Sequence, residues 1–188
     1  MTDLGTEYLN DLRDRFTTLR RLSERAAAQV GDDAFFAAPD AETNSIAVNL
    51  KHVGGNLRSR FTGFLTTDGE KDDRDRDGEF IIAPGETRAD VEATWAAGWQ
   101  ALEGALAALT PDDLLRTIQI RGESHTVIGA LNRSLAHTAG HTGMITLLAK
   151  HYAGDVWKTL SIPRGQSKTW RPEGWKGGLV VDAGAGGR

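Results

Sequence analysis

The fold is decided by residues 131–152, which read LNRSLAHTAGHTGMITLLAKHY. The stretch contains no proline, and its apolar residues recur at helical intervals. Two histidines, His137 and His141, stand four positions apart in it. On a helix such side chains share one face, with about 5–6 Å between their Cβ atoms. The spacing therefore predicts that both imidazoles bind one metal ion, although two core histidines are the alternative.

Three earlier segments show the same apolar periodicity, so we predict four helices. Their expected ranges are 3–30, 44–65, 87–109 and 126–153. A short hairpin is predicted at 115–127, centred on Arg121-Gly122. The predicted class is all-α, with a four-helix bundle over 1–154 and an irregular C-terminal arm over 155–188, whose last residues are expected to be disordered.

Several local patterns support these boundaries. Asn44 or Ser45 is expected to cap the second helix, and Thr87 with Asp90 resembles a capping box for the third. The segment 31–43 is predicted to be a loop with Phe35 and Phe36 as anchors. In the arm, Trp157, Trp170 and Trp175 are expected to pack on the bundle or on another subunit.

A third metal ligand is predicted in the second helix. His52 lies off the apolar stripe of that helix by roughly 100°. It shares a polar line with Ser45, Asn49, Asn56 and Ser59. Bundles build metal sites from side chains on facing helices, and three protein ligands with one open position are typical of catalytic zinc. A hydrogen-bonded core histidine is the alternative interpretation of His52.

The two remaining histidines are expected to be ordinary. His151 lies about 15 Å along the helix from His141, and His125 falls in the hairpin. The histidine pair encloses Thr-Ala-Gly, so the glutamate of the H-E-x-x-H zinc motif is missing.

The fourth helix carries small residues beside the histidine pair. Ala136, Ala139, Gly140, Gly143 and Leu147 form a second apolar side, which predicts that the histidines are buried between two packed flanks. Glycine inside a helix costs about 1 kcal/mol relative to alanine, so the two glycines indicate close helix contact or room for a ligand.

Residues 66–86, the charged segment, are dense in acidic and basic side chains. They are interpreted as a solvated connection, or alternatively as a lid over a site, because loops of this length are often functional. As a lid, the segment would bring Arg74 and Arg76 to an anionic group of a substrate.

Composition excludes several function classes. The 188 residues are 39% hydrophobic, carry a net charge of −4 and include no cysteine. One domain is expected, without disulfides, a cysteine nucleophile or a basic surface for nucleic acid. No secretory signal and no apolar run of about 18 residues is seen, which predicts a cytoplasmic protein that does not enter a membrane.

Three stretches carry a further indication, namely NSIAVNLKHVGGNLRSRFTGFLTTDGEKDDRDRDGEF at 44–80, ALNRSLAHTAGHTGMITLLAK at 130–150 and WKTLSIPRGQS at 157–167. They resemble the DinB-like (damage-inducible) superfamily of four-helix-bundle proteins, and within it an uncharacterised subfamily. The resemblance implies an up-down-down-up bundle, a homodimer, and a divalent metal ion held by His52, His137 and His141 with water completing the shell. Where relatives commonly have Gly-Gln after the second histidine, this chain has Thr142-Gly143-Met144.

Characterised relatives in that superfamily include S-transferases and a maleylpyruvate isomerase that use low-molecular-weight thiols such as mycothiol, bacillithiol or glutathione. The leading hypothesis is therefore a metal-dependent transferase in which Asn49, Asn56 and Ser59 orient the ligands or the cosubstrate. Arg58 or Arg60 would pair with a carboxylate of the thiol. Zinc or nickel is the expected metal.

Two alternatives use the same three ligands. The first is a metal-dependent hydrolase, for which Glu92 is the candidate general base. The second is a non-enzymatic metal-binding stress-response dimer, in which the ion only joins two helices. A fourth protein ligand would favour the second alternative, whereas an open position beside a cavity favours an enzyme acting on a small-molecule substrate.

Overall fold

The computed structural model describes residues 3–169, and the chain is mainly helical over that range. The helices are α1 (Leu4–Ala27), α2 (Asp32–Phe36), α3 (Ile46–Phe61), α4 (Arg88–Ala108) and α5 (Val127–Ala153). The antiparallel strands β1 (Thr117–Ile120) and β2 (Glu123–Thr126) form the predicted hairpin between α4 and α5. Short 3-10 turns cover Gly78–Phe80, Pro111–Asp113 and Gly154–Val156.

Each long helix begins at a side chain that accepts a hydrogen bond from its first turn. These N-caps are Asp3, Ser45, Thr87 and Thr126. The predicted capping box is confirmed, because the backbone N–H of Thr87 donates to Asp90 Oδ2 at 2.9 Å while that of Asp90 donates to Thr87 Oγ1 at 3.3 Å. Capping therefore accounts for where the helices start.

Two predicted helix ends are too late. The first helix ends at Ala27 rather than near Val30, and the second ends at Phe61 rather than at Leu65. After Phe61, Thr62 is extended and Gly63 has a positive φ of 59°, so the helical backbone cannot continue.

The predicted loop at 31–43 contains the short helix α2, which the sequence pattern did not indicate. The predicted anchor is confirmed, since Phe35 is fully buried and stacks edge-on against Phe36 with ring centroids 5.1 Å apart. The guanidinium of Arg88 lies 4.5 Å from the centre of the Phe35 ring. These contacts hold α2 against the start of α4.

Two glycines let α3 and α4 approach each other closely. A Cβ on Gly98 would overlap the backbone carbonyl of Gly54, and a Cβ on Gly54 would lie 2.6 Å from the carbonyl oxygen of Thr94. Neither position has room for a side chain. The close approach sets the position of α3, which carries His52.

Side-chain contacts join α1 to both α4 and α5. Arg20 of α1 pairs with Glu103 at 2.7 Å, and Glu24 accepts a hydrogen bond from the indole of Trp95 at 3.1 Å. On the other side, Tyr8 donates to Asn132 at 2.9 Å and Ser23 donates to Thr142 at 3.0 Å. The α1 helix thereby supports the opposite side of α5 from the histidines.

The prediction that the histidines lie between two packed flanks is wrong for one flank. Ala136, Ala139, Gly140, Gly143 and Leu147 are exposed. A Cβ added to either glycine would meet open space, so the expected close helix contact is absent from the described part of the chain. The reason is that α5 packs on α1 and α3 through its other faces.

The start of the C-terminal arm packs against the residues that follow α1. Lys158 donates its backbone N–H to Gln29 at 2.6 Å, the Gln29 amide donates back to the Lys158 carbonyl at 3.1 Å, and Leu160 is buried. Trp157 packs partly buried on the core, as expected. Trp170, Trp175 and the predicted disordered end lie outside the described residues. Within residues 3–169, no helix combines the length and apolarity required to cross a membrane.

Candidate metal centre

The three predicted histidines meet in the structure. His52 from α3 and His137 and His141 from α5 form the histidine cluster, in which one ligand nitrogen of each ring lies within 4.8 Å of the others. Nε2 of His52 is 3.1 Å from Nε2 of His137. In residues 3–169 this is the only group of three or more His, Cys, Asp or Glu side chains arranged to hold a metal ion.

A carboxylate orients His52. Glu79 Oε2 lies 2.8 Å from Nδ1 of His52, and both side chains are buried. Burial alone would raise the pKa of Glu79, but hydrogen bonds from Arg74 and His52 outweigh it and lower that pKa. An ionised carboxylate only accepts hydrogen bonds, so Nδ1 of His52 carries the proton. In neutral His52, Nε2 is then left with a free electron pair that faces the cluster.

An amide orients His141 in the same way. The Nδ2 group of Asn49 donates to the carbonyl of Ser45 at 2.8 Å and points toward that of Asn44 at 3.3 Å. Its Oδ1 therefore faces Nδ1 of His141 at 2.8 Å, and it can only accept. Nδ1 of His141 must be the protonated nitrogen, which leaves Nε2 as the electron-pair donor.

His137 differs because no described group fixes its Nδ1, and its one hydrogen-bonding neighbour among the described residues is Nε2 of His52, 3.1 Å from its own Nε2. Its Nδ1 is buried and has no hydrogen-bond partner among residues 3–169. Burial, followed by the charges of His141 and His52, lowers the pKa of His137 to about 4. Burial and then the charge of His52 lower the pKa of His141 to about 4. Both rings are consequently neutral at pH 7, the state in which imidazole binds metals.

These donors fit a divalent metal ion. Two nitrogens bound to one zinc ion at about 2.0–2.1 Å lie about 3.3 Å apart in tetrahedral geometry, close to the 3.1 Å between His52 and His137. Metal-binding histidines usually donate their other N–H to a carboxylate or carbonyl oxygen, as His52 and His141 do. The three histidines could therefore hold a metal ion.

The charged segment is neither freely solvated nor detached from the helices. Arg74 binds Glu79 through two nitrogens at 2.8 and 2.9 Å, and its remaining nitrogen reaches Glu70 at 3.1 Å. Glu70 also pairs with Arg60 of α3 at 2.7 Å. Burial would raise the pKa of Glu70, but hydrogen bonds from Arg121 and Arg60 lower it to about 2. The segment is thus tied to α3 by partly buried ion pairs.

The hairpin holds the other end of this segment. Asp68 accepts hydrogen bonds from the backbone N–H groups of Arg121 at 2.9 Å and Gly122 at 2.8 Å. Both turn residues have positive φ, 56° and 72°. The backbone N–H of Gly69 also donates to Gln119 of β1 at 2.8 Å. The charged segment is therefore clamped between α3 and the hairpin.

The predicted orienting residues lie in different places. Asn49 contacts His141, and Asn56 lines the cavity beside the cluster. The buried hydroxyl of Ser59 instead donates to the carbonyl of Gly69 at 2.9 Å and so helps to hold the charged segment. Arg58 pairs with Asp73 on the surface.

Three other candidates lie apart from the cluster. Glu92 is an exposed side chain of α4 that accepts a hydrogen bond from Arg88 at 2.7 Å. His125 belongs to β2 and is 3.9 Å from Glu123, while His151 stacks beside Tyr152 near the end of α5. His125 and His151 are not members of the cluster, as predicted.

Glu79 is the site residue that sequence reasoning missed. It lies in a segment with many carboxylates, and nothing in their order distinguishes it from its neighbours. One local signal exists in α3. It is Gly55, where a Cβ would overlap the Glu79 carboxylate. A glycine next to the histidine line indicates that another group approaches there.

A cavity of about 230 Å³ lies beside the cluster and is lined by His52, His137 and Asn56. Apolar walls come from Phe61 at the end of α3, Phe64 just after it, Ala130 of α5 and Ile120 of β1. We call it the arginine cavity, because its remaining lining is Ser134 and five arginines, namely Arg60, Arg74, Arg76, Arg121 and Arg133.

Comparison with known proteins places the chain in a family. None of the curated proteins matches the sequence. A family model described as "Protein of unknown function (DUF1572)" matches residues 3–166, which include the three histidines, Asn49 and Glu79. Because that match spans most of the 188 residues, the protein belongs to the DUF1572 family.

Proposed function

We propose that this protein is a divalent-metal-dependent enzyme that transfers a low-molecular-weight thiol to a small electrophilic substrate. The observation that carries the proposal is the histidine cluster, in which Glu79 and Asn49 turn Nε2 of His52 and of His141 toward one point. His52, His137 and His141 would hold the ion, with zinc or nickel the expected metals.

The proposal includes a DinB-like up-down-down-up bundle. Its support is the order of the contacts between helices. Tyr8 meets Asn132 and Ser23 meets Thr142, which suits parallel α1 and α5. Asn49 meets His141 and His52 meets His137, which suits antiparallel α3 and α5. Arg20 with Glu103 and Glu24 with Trp95 suit antiparallel α1 and α4.

The chain's own residues would position the ligands and the substrate. When bound, a divalent ion supplies acidity to a thiol or a water molecule that it coordinates. In the transfer, the thiol sulfur forms a bond to an electrophilic carbon while the bond from that carbon to its leaving group breaks. The leaving group departs with the electron pair of the broken bond and takes up the thiol proton. Glu79 and Asn49 keep two imidazoles oriented, and the apolar walls beside them limit access of water.

Thiol transfer is favoured over hydrolysis by the lining of the arginine cavity. No carboxylate lines the described part of this cavity, and Glu79 is already engaged by His52 and Arg74. Glu92, the candidate general base, is exposed and paired with Arg88. A hydrolase would have to activate water without a nearby carboxylate, whereas a thiol brings its own nucleophile.

A purely structural metal site has less support. Structural zinc sites usually have four protein ligands, whereas the described residues bring only three together. The adjoining cavity leaves room for a further ligand. We retain the predicted homodimer as a proposal, with the exposed side of α5, including Met144 and Leu147, as its supporting surface.

Elemental analysis of the purified, tag-free protein tests the metal site. We expect about one divalent ion per chain, lost in His52→Ala, His137→Ala and His141→Ala. His151→Ala is the matched control, because His151 lies on the same helix as two of the ligands but outside the cluster. Retention of metal by His52→Ala would contradict the three-histidine site, and absence of metal after reconstitution at neutral pH would contradict metal binding.

A second experiment separates the two reactions. The zinc- and nickel-loaded protein is incubated with electrophilic substrates in the presence or absence of glutathione, bacillithiol or mycothiol, and products are identified by mass spectrometry. Thioether formation that requires the histidines supports the transferase. Cleavage of ester or amide substrates without any thiol would instead support the hydrolase.

A further inference from the structure

The arginine cavity is lined by apolar and by basic side chains. Phe61, Phe64 and Ile120 are among the apolar lining residues, whereas all charged lining residues are arginines. Ligand pockets for drug-sized molecules measure about 300–1,000 Å³. The cavity, at about 230 Å³, suits a smaller molecule. Its lining suits a ligand with a short apolar body and an anionic end.

The arginines of the cavity differ in how far they are neutralised. Arg60, Arg74 and Arg121 share the carboxylate of Glu70, and Arg74 is further paired with Glu79. These arginines are held in place by the protein itself. Asp68 also interacts electrostatically with Arg60, so the protein's own carboxylates largely neutralise these three arginines.

Two arginines remain available to a ligand. Arg133 of α5 makes no hydrogen bond or ion pair within residues 3–169, although it lines the cavity one helical turn before His137. Arg76 has only a 3.6 Å pairing with the exposed Asp77 and a contact with the ring of Phe80. Guanidinium groups bind carboxylate and phosphate groups through paired N–H donors.

A buried hydroxyl provides an independent indication of a ligand. Ser134 lines the same cavity, is only 7% exposed, and its Oγ has no hydrogen-bond partner among the described residues. A buried hydroxyl without a partner costs stability, so it is expected to be satisfied by a bound group. An anion held by Arg133 would offer it an acceptor.

We infer that the arginine cavity is an anion subsite, in which Arg133, Arg76 and the hydroxyl of Ser134 bind the carboxylate or phosphate group of a small substrate. The inference rests on the proposed function, since it directs the other end of that substrate toward His52 and His137. The substrate class is thus a short-chain carboxylate or phosphate ester with an electrophilic carbon.

Binding of simple probes tests the subsite without any assay of activity. Butyrate and inorganic phosphate are titrated into the ¹⁵N-labelled full chain, metal-free and zinc-loaded, and amide shifts are followed by NMR. Butyramide, which lacks the charge of butyrate, is the neutral control. We expect saturable shifts at Arg133, Ser134 and Ile120 with at least one anion, and at least fivefold weaker binding of butyramide. A preference for butyrate or for phosphate identifies the anionic group.

Variants separate ligand binding from a structural role. Arg133→Gln and Ser134→Ala are expected to weaken anion binding at least fivefold, whereas Lys150→Gln, the same change of charge on the same helix, should leave it unchanged. Ser134→Ala should also raise or preserve the midpoint of urea unfolding, since it removes an unsatisfied hydroxyl. Equal binding of butyramide, equal loss in Lys150→Gln, or absence of saturable shifts would overturn the subsite.

Zinc content measured in the same samples distinguishes the two proposals. Protein that binds zinc but neither anion overturns the subsite and leaves the metal site in place. Protein that binds an anion but no zinc supports the subsite and contradicts the metal-dependent function.

Discussion

Glu79 shows how a single side chain can prepare a metal ligand. One of its oxygens faces His52, and both oxygens accept hydrogen bonds from Arg74. His52 keeps one orientation because the carboxylate that holds it is itself held. The ring therefore does not have to be ordered when a metal ion binds.

Substitution of Glu79 should weaken metal binding without removing a ligand. In Glu79→Gln, the new NH₂ group replaces one acceptor and faces a donor of Arg74 or His52. Loss of such a partner typically lowers metal affinity about 10–100-fold. Competition with a zinc-sensitive dye measures the change in affinity. Glu92→Gln is the control, because it makes the same change of carboxylate to carboxamide at an exposed position. Equal affinity of Glu79→Gln and the unaltered protein would show that Glu79 does not position His52.

At the scale of elements, the closeness of α3 and α4 depends on two glycines. Gly98→Ala would place its methyl group on the carbonyl of Gly54. Backbone cannot move as easily as a flexible side chain, so we expect a loss of about 1–3 kcal/mol in the free energy of unfolding. Urea denaturation measures this loss.

Gly104→Ala provides the matched control on the same helix. A Cβ at Gly104 meets nothing within 4 Å, and the residue is exposed. Alanine favours the helix over glycine by up to about 1 kcal/mol, so this variant should be more stable than the unaltered protein. A similar effect of both substitutions would contradict the close approach of α3 and α4.

Asp68 links the charged segment to the hairpin in a pH-dependent manner. Backbone hydrogen bonds, chiefly from Glu70 and Gly122, lower the pKa of Asp68 from 3.8 to about 2. A lowered pKa in the folded state contributes stability above about pH 4, and this contribution is lost as the pH falls toward 2. Asp68→Asn should therefore be less stable at pH 7, and the difference should diminish between pH 4 and pH 2.

Urea denaturation at several pH values checks the Asp68 prediction. Asp77→Asn is the control, because the Asp77 side chain is 94% exposed and has only the 3.6 Å pairing with Arg76. A stability difference for Asp68→Asn that persists unchanged at pH 2 would show that its carboxylate does not stabilise the folded state.

At the scale of the whole molecule, a bound metal ion would join α3 to α5. A ligand that binds only the folded state, at 100 times its dissociation constant, raises the free energy of unfolding by about 2.7 kcal/mol. We expect zinc to stabilise the protein by that amount in chemical denaturation. His141→Ala should abolish the effect, whereas His151→Ala should preserve it. Stabilisation of both variants would place zinc elsewhere.

Much of the fold follows from short-range patterns. The caps at Ser45 and Thr87 and the turn at Arg121-Gly122 are local features, and the structure has each of them where it was predicted. The convergence of the three histidines was also predictable, because helical spacing places two on one face and the polar line of the second helix supplies the third.

The rest depends on contacts between residues distant in sequence. Glu79 and Arg74 acquire their roles only when the charged segment folds back on α3, and no local periodicity reports such pairing. The exposed side of α5 was misjudged for a related reason. Alanine and glycine contribute little apolar area, so the positions of Gly140 and the small residues around it do not determine which face of the helix is packed.

Because the charged segment is clamped, its local opening and the binding of a metal ion at the histidines should be coupled. Glu79 belongs to this segment and also holds His52, so an ion at the histidines should secure the segment against local opening. Trypsin, which cuts after lysine and arginine, would then cleave at Lys71, Arg74 and Arg76 more slowly in the zinc-loaded protein. By linkage, a ligand whose binding to the segment is strengthened by zinc must strengthen zinc binding by the same factor.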